Sequence, residues 1–350
     1  MLIAPRWRKT ILVILACLVV ILGLAIWRWR DSHFDWVRFF ATVTSVNWYW
    51  LSLSISLVLL SYVGRMLRWE VMLRPLRPHP SFWNLCSATV IGFTAVVILG
   101  RPGELVRPYL IAIKERVPFS SQMAAWLLER VLDTLMVLLI FGFALTRTPA
   151  HRFAPGSSLQ WVMKTGGYVI AIVCTACVLF LFLFRNFSDV TQRRILAAVT
   201  FLPEPYYKRI ESTMTAFATG MQATRNRGFL IRLLVYTVLE WAVIVGGFVF
   251  LFRAFSATAG FALVDVLVFV GFVALGSIIQ IPGIGGGVQV AAIIVLTELF
   301  GLSIESATGM ALLIWVLTFV SIVPFGLAFA FHEGLNWRKF RDLAQEVPHP

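Results

Sequence analysis

Ionisable side chains set inside apolar sequence are the residues of this chain able to do chemistry. The run Met123 to Ile140 reads M-A-A-W-L-L-E-R-V-L-D-T-L-M-V-L-L-I and carries Glu129, Arg130 and Asp133. Glu129 and Asp133 stand four apart, so both carboxylates share one face of a helix. A charged group near a bilayer centre costs about 2.5–3.5 kcal/mol, so such groups face one another or a polar pathway. Two readings compete: an Arg130–Asp133 pair that fixes helix packing, or one polar wall of a head-group route. Glu240 is a lone acid in the apolar run Val235 to Val245. It is expected to be protonated, or else paired with Arg130 or Arg107, as a packing partner or a proton-coupling group.

The stretch Ile98 to Tyr109, I-L-G-R-P-G-E-L-V-R-P-Y, adds Arg101, Gly103, Glu104 and Arg107. Pro102 and Pro108 lack a backbone donor, while Gly100 and Gly103 tolerate unusual dihedrals, so no unbroken helix is expected across it. Guanidinium forks and free backbone N–H groups at such a break suit an anionic phosphate. A second break, Q-I-P-G-I-G-G-G-V-Q, spans Gln280 to Gln289 and includes Gly283, Gly286 and Gln289. The helix starting at Val288 would point its positive end into it. Broken helices paired across two halves of a membrane protein are the best sequence pointer to a transport site.

Other chemistries find little support. Neither G-x-x-x-x-G-K-[ST] nor G-x-G-x-x-G occurs, and the five histidines lie in loops or at ends without H-E-x-x-H. No G-x-S-x-G is present, so no catalytic residue, cofactor or metal is assigned. Cys174 and Cys177 fit C-x-x-C but sit in an apolar helix with no basic neighbour, which marks them as packing residues. Lys114 and Arg116 are read as topology-setting charges.

The positioning elements are membrane helices. The 350 residues are 59% hydrophobic and 13% charged, with mean hydropathy +0.84. A soluble domain of this size could not hide so much apolar surface, so the chain reads as an all-α polytopic membrane protein. A net charge of +13 reflects the positive-inside bias and anionic lipid surfaces rather than a nucleic-acid partner. Twenty-five of the thirty basic residues are arginine, a choice that suits bidentate phosphate contacts.

Spans are expected at Ile11–Trp27, Trp48–Val63, Gln122–Leu145, Gly166–Phe184, Phe229–Phe252, Phe261–Ile281, the short Val288–Phe300, and Thr308–Phe331. Trp27, Trp29, Trp36, Trp48 and Trp50 form an interfacial belt around the outer loop Asp31–Val46. Arg65, Arg68, Arg74 and Arg77 are assigned to an inner basic cluster. Counting Lys and Arg gives inner segments 21 and outer loops seven. That balance makes Ser81–Leu99 re-entrant from the cytoplasmic side. The expectation is about eight transmembrane helices plus one re-entrant segment, in two pseudo-repeated halves each with a Pro/Gly break. Within Arg185–Arg227, Ile210, Met214, Phe217 and Met221 share one face, which suggests an amphipathic helix on the cytoplasmic surface. Asp265 is expected as an acid at a helix start, and Glu298 and Glu305 as solvated groups flanking an outer turn. The chain is read as one transmembrane domain with no soluble domain left over.

The chain resembles the lysylphosphatidylglycerol synthase transmembrane (flippase-like) family. The matching residues are R-P-G-E-L-V-R at Arg101 to Arg107, E-R-V-L-D at Glu129 to Asp133, and P-G-I-G-G-G-V-Q at Pro282 to Gln289. In two-part enzymes of that family, the corresponding membrane half is taken to flip aminoacylated phosphatidylglycerol made by a separate cytoplasmic domain. The resemblance therefore implies lipid handling and does not carry synthase activity over. Gln289 departs from it, because the family usually has Glu there, and a neutral amide removes a carboxylate that would greet a cationic lysyl head group.

Three functions stand at this point. The first is a translocase of phospholipid or lipid-linked head groups in a bacterial-type inner membrane, with both termini cytoplasmic. The second is an accessory or scaffold subunit of a lipid, hopanoid or glycan pathway. The third is a membrane-embedded transferase using Glu129 and Asp133. Membrane lipids, phosphate-bearing ones first, are the expected partners; a second copy of the chain or a pathway enzyme stays open.

Overall fold

The computed structural model describes residues 34–147, 171–179, 181, 196–197, 204–220, 227–277, 280–281 and 285–334. The expected first span, Trp27 and Trp29, the ends of Gly166–Phe184, Pro282, Gly283 and the basic residues Arg338 to Arg341 lie outside these. The described chain is helical apart from a two-residue antiparallel pair, Gln280↔Gly286 and Ile281↔Gly285. Its helices are α1 (Trp36–Thr44), α2 (Trp48–Leu73), α3 (Phe82–Leu99), α4 (Val106–Glu115), α5 (Phe119–Arg147), α6 (Glu204–Gly220), α7 (Arg227–Ala254), α8 (Leu263–Gly276), α9 (Gly287–Ile294), α10 (Ile304–Thr318) and α11 (Val323–His332). Residues 171–179 are also helical.

Local chemistry accounts for the ends. Asn47 caps α2 by accepting from the N–H groups of Tyr49 and Trp50, and Ser81 caps α3 by accepting from Asn84 N–H. Asp265 does sit at a helix start, where its Oδ2 accepts from the Ala262 N–H at 3.0 Å. Of the expected interfacial belt, Trp36 and Trp48 are exposed, whereas Trp50 is half buried and stacks on Phe250 with ring centroids 5.5 Å apart. The segment expected as an outer loop holds the helix α1, and Thr42 Oγ1 donates from it to Ser306 Oγ at 3.2 Å. Glu305 is only 8% exposed, so it is not a solvated acid, whereas Glu298 is exposed as expected.

Among the described residues, four helical stretches are long and apolar enough to cross a membrane: α2, α3, α7, and Ile304–His332, which joins α10 and α11. The antiparallel pair α2 and α7 forms the spine. Asn47 N–H donates to Ala254 C=O at 2.9 Å where α2 begins and α7 ends. Ser54 Oγ donates to Gly247 C=O at 2.9 Å further along.

Two helical hairpins insert against this spine. In the first, Gly100 (φ 70°) stops α3, a 3-10 turn over Arg101–Leu105 reverses the chain, and α4 runs back. Pro108 falls in the first turn of α4, where its missing N–H has no helical acceptor to lose, so the true break is Gly100–Leu105. Asn84 Nδ2 donates to Glu115 Oε1 at 2.7 Å, which places the start of α3 beside the end of α4. The arms touch closely: a Cβ on Gly92 would lie 2.6 Å from Arg107 Cβ, and one on Gly103 would strike the Ala95 carbonyl.

The second hairpin is α8, the short strand pair and α9. Its ends meet through Phe261 and Phe300, whose ring centroids are 4.4 Å apart. A Cβ on Gly276 would come within 2.5 Å of Ala291 Cβ. At 14 residues α8 is shorter than the expected span Phe261–Ile281. Its length of about 21 Å falls short of a roughly 30 Å hydrocarbon core. Short apolar helices, Leu263–Gly276 and Gly287–Leu299, thus stand on either side of the second break.

The two hairpins are rooted at opposite ends of the bundle. The first has its base beside the C-termini of α2 and α11, through Arg77–Glu115 (3.6 Å) and the Lys114–Glu333 pair. The second has its base beside the C-terminus of α7, where Phe252 and Phe261 stand 5.4 Å apart.

Candidate functional site: a buried guanidinium–carboxylate network

Seven charged side chains from four helices converge in the bundle interior. The α2 helix contributes Arg65 and Arg68, α4 contributes Arg107, α5 contributes Glu129, Arg130 and Asp133, and α7 contributes Glu240. Glu129 is fully buried, and both its oxygens accept from Arg107 Nη1 at 3.1 Å. Its Oε1 also accepts from Arg130 Nη2 at 2.9 Å and stands 3.9 Å from Arg65 Nη1. Arg68, also fully buried, donates to Asp133 at 2.6 Å and to Glu240 at 2.9 Å. Arg65 Nε completes the ring at 3.3 Å from Glu240. Such a network survives inside the bundle only because nearly every charge meets an opposite one.

Aromatic and backbone groups hold it in place. The Arg107 guanidinium lies 4.1 Å above the Trp69 ring, and Trp69 is itself anchored by donating to Gln122 Oε1 at 2.9 Å. Arg107 Nη2 donates to the Arg65 carbonyl at 2.9 Å, and Trp241 Nε1 donates to Asp133 at 3.3 Å. Gly64 brings α2 against α7, since a Cβ there would be 3.2 Å from Glu240 Cβ.

The expected residues fare differently. Glu129 and Asp133 do share a face, and the Arg130–Asp133 pair exists at 3.2 Å. Arg107 reaches the network, but Arg101 does not; it stands at the tip of the first hairpin, 2.5 Å from Glu104. From there Arg101 Nη2 donates to the Ser277 carbonyl at 2.7 Å, so the tip of the first hairpin touches the end of α8 in the second. Gly286 (φ 92°) precedes α9 in a conformation that favours glycine, and Gln289 is half buried in the first turn of α9. Gly283 lies outside the described residues. Lys114 pairs with Glu333 and Ser87, and Arg116 is exposed at the left-handed end of α4, both in keeping with a non-site role.

Two expectations are corrected. Glu240 pairs with Arg65 and Arg68 instead of Arg130 or Arg107. Correspondingly, Arg65 and Arg68 do not belong to an inner basic cluster, because α2 continues past Val63 to Leu73 and carries both into the interior. A signal was present: Met66, Leu67, Trp69, Val71, Met72 and Leu73 prolong the apolar pattern around them, unlike the polar sequence around Arg74 and Arg77. Cys174 and Cys177 are half buried and unbridged, as packing residues would be. In α6, Ile210 and Met214 are half buried while Glu211, Thr213 and Thr215 are exposed, and Met221 of the expected apolar face lies outside the described residues.

Among the described residues no group of three or more His, Cys, Asp or Glu is arranged to hold a metal ion. A family model described as Lysylphosphatidylglycerol synthase TM region matches residues 10–326. No curated protein matches the chain, and no solved structure does. The family match and the long apolar helices together make this a multi-pass helical membrane protein.

Proposed function

Because the chain belongs to the Lysylphosphatidylglycerol synthase TM region family, a setting of lipid metabolism or transport, we propose that it is a lipid translocase of a bacterial-type inner membrane. The observation that carries this reading is the meeting of two oppositely rooted hairpins, where Arg101 at the tip of the first bonds to Ser277 at the end of α8, beside a buried guanidinium network. Broken helices of this kind keep non-helical backbone at membrane depth only where protein or a polar pathway surrounds it. Arg74, Arg77, Lys114 and Arg116 gather at the base of the first hairpin, which supports a cytoplasmic side for that end. The first hairpin then enters from the cytoplasmic side and the second from the outer side. Each hairpin closes the route from its own side, and moving one at a time exposes the interior arginines alternately. A lipid phosphate meets guanidiniums there while its acyl chains stay in the bilayer.

The test is reconstitution into vesicles holding fluorescent lipids of several head-group classes, with quenching from one side to follow flipping. At least one class should cross faster with the protein than without it. Acceleration of none would overturn the reading.

A further inference from the structure

Four guanidiniums face three carboxyls in the network: Arg65, Arg68, Arg107 and Arg130 against Glu129, Asp133 and Glu240. Arginine stays protonated in proteins, so at least one positive charge is left uncompensated. Glu104 also faces Arg130, and with its partner Arg101 the tally becomes five guanidiniums against four carboxyls, still one positive charge in excess. An uncompensated charge at membrane depth is unfavourable by kilocalories, which makes the network a receptor for one anion.

The excess has an address. Glu129 Oε1 is approached by Arg65, Arg107 and Arg130 together, three guanidiniums on one oxygen. Arg107 is inaccessible, with its side chain 6% exposed and sandwiched against Trp69. Arg65 and Arg130 flank it with side chains 17% and 35% exposed, so these two can still reach a ligand. A phosphodiester offers two free oxygens that diverge from one phosphorus, and each guanidinium can take one.

We propose that the substrate head group is a phosphodiester monoanion without a balancing cation, held between Arg65 and Arg130. This rests on the translocase reading and narrows it. A head group that adds an amine returns the positive charge that the phosphate cancels, so zwitterionic and lysyl-bearing lipids bind less tightly. The role of Arg65 is specific here: it is the only network cation besides Arg130 with an accessible face, and its α2 partner Arg68 is fully buried.

The full-length protein in detergent is titrated with short-chain phosphatidylglycerol, phosphatidylcholine and lysyl-phosphatidylglycerol, with thermal unfolding and direct binding as readouts. Phosphatidylglycerol should bind at least tenfold more tightly than either of the others. Glycerophosphoglycerol, the same diester without acyl chains, should compete with it if the phosphate itself is the recognised group. Arg65→Gln removes the excess charge and should abolish the preference, whereas Asp133→Asn adds to the excess and should strengthen it. Equal affinity for the three lipids in the wild-type protein overturns the proposal, whether or not the variants fold. Both variants shifting the preference in the same direction does so as well. Flipping that ignores head-group charge would remove this inference and leave the translocase reading standing; no flipping at all would remove that reading.

Discussion

Arg101 and Ser277 lie 176 residues apart in sequence, yet the Arg101 Nη2 group donates to the Ser277 carbonyl at 2.7 Å. This one hydrogen bond ties the turn after α3 to the end of α8. The Arg101 side chain is 45% exposed, so its ion pair with Glu104 adds less than about 1 kcal/mol to stability. Arg101→Ala should therefore slow lipid flipping about tenfold and leave the unfolding temperature within a few degrees of wild type. A flipping rate equal to wild type would show that this tie is not needed.

Glu129 is the opposite case, since its value is structural first. Removing the carboxylate leaves Arg107, Arg130 and Arg65 facing one another in a buried setting. Breaking one partner out of a buried ionic network costs about 3–5 kcal/mol. Glu129→Gln should lower folded yield and unfolding temperature sharply. The double variant Glu129→Gln/Arg107→Met should recover part of that loss, and chemical unfolding in detergent measures both. Strictly additive losses would mean that the two residues do not act as a pair.

Glycine contacts make the first hairpin sensitive to a single methyl. Gly92→Ala places a Cβ 2.6 Å from Arg107 Cβ and should destabilise by about 1–3 kcal/mol while pushing Arg107 off Glu129. Gly142 has nothing within 4 Å of such a Cβ. Gly142→Ala on α5 should be neutral or stabilise by up to about 1 kcal/mol. Melting curves of the two variants, measured side by side, check the contrast.

Opposite roots for the hairpins imply opposite accessibility. In a cysteine-free background, Arg116→Cys marks the base of the first hairpin, and Gly260→Cys marks the approach to the second, where open space surrounds the glycine. An impermeant maleimide added to sealed right-side-out vesicles should label Gly260→Cys, and Arg116→Cys only after permeabilisation. Labelling of both from one side would refute the opposed arrangement.

Local features of this chain were readable from residue types alone. Apolar composition made it a membrane protein, because no soluble fold could bury that surface. Gly100 with Pro102 announced the reversal, since glycine admits φ near 70° and proline at a turn start gives up no needed hydrogen bond. The common face of Glu129 and Asp133 followed from helical spacing, which holds wherever the helix is placed. Partner choice was a different matter. Glu240 joins Arg68 across 172 residues, and Arg101 joins Ser277 across 176, through contacts set by how helices pack. Nothing in the spacing of either partner encodes those distances. Where α2 ends also had to come from packing: a chain that stopped at Val63 would leave Arg65 and Arg68 in water. Continuing the helix against Gly64 and Glu240 instead buries them among carboxylates that balance most of their charge. The sequence by itself thus determined the membrane class, the two breaks and the shared acid face, all products of short-range geometry. Only the tertiary structure decided which charges meet and that the first break touches the end of α8, because those depend on the summed packing of helices far apart in the chain.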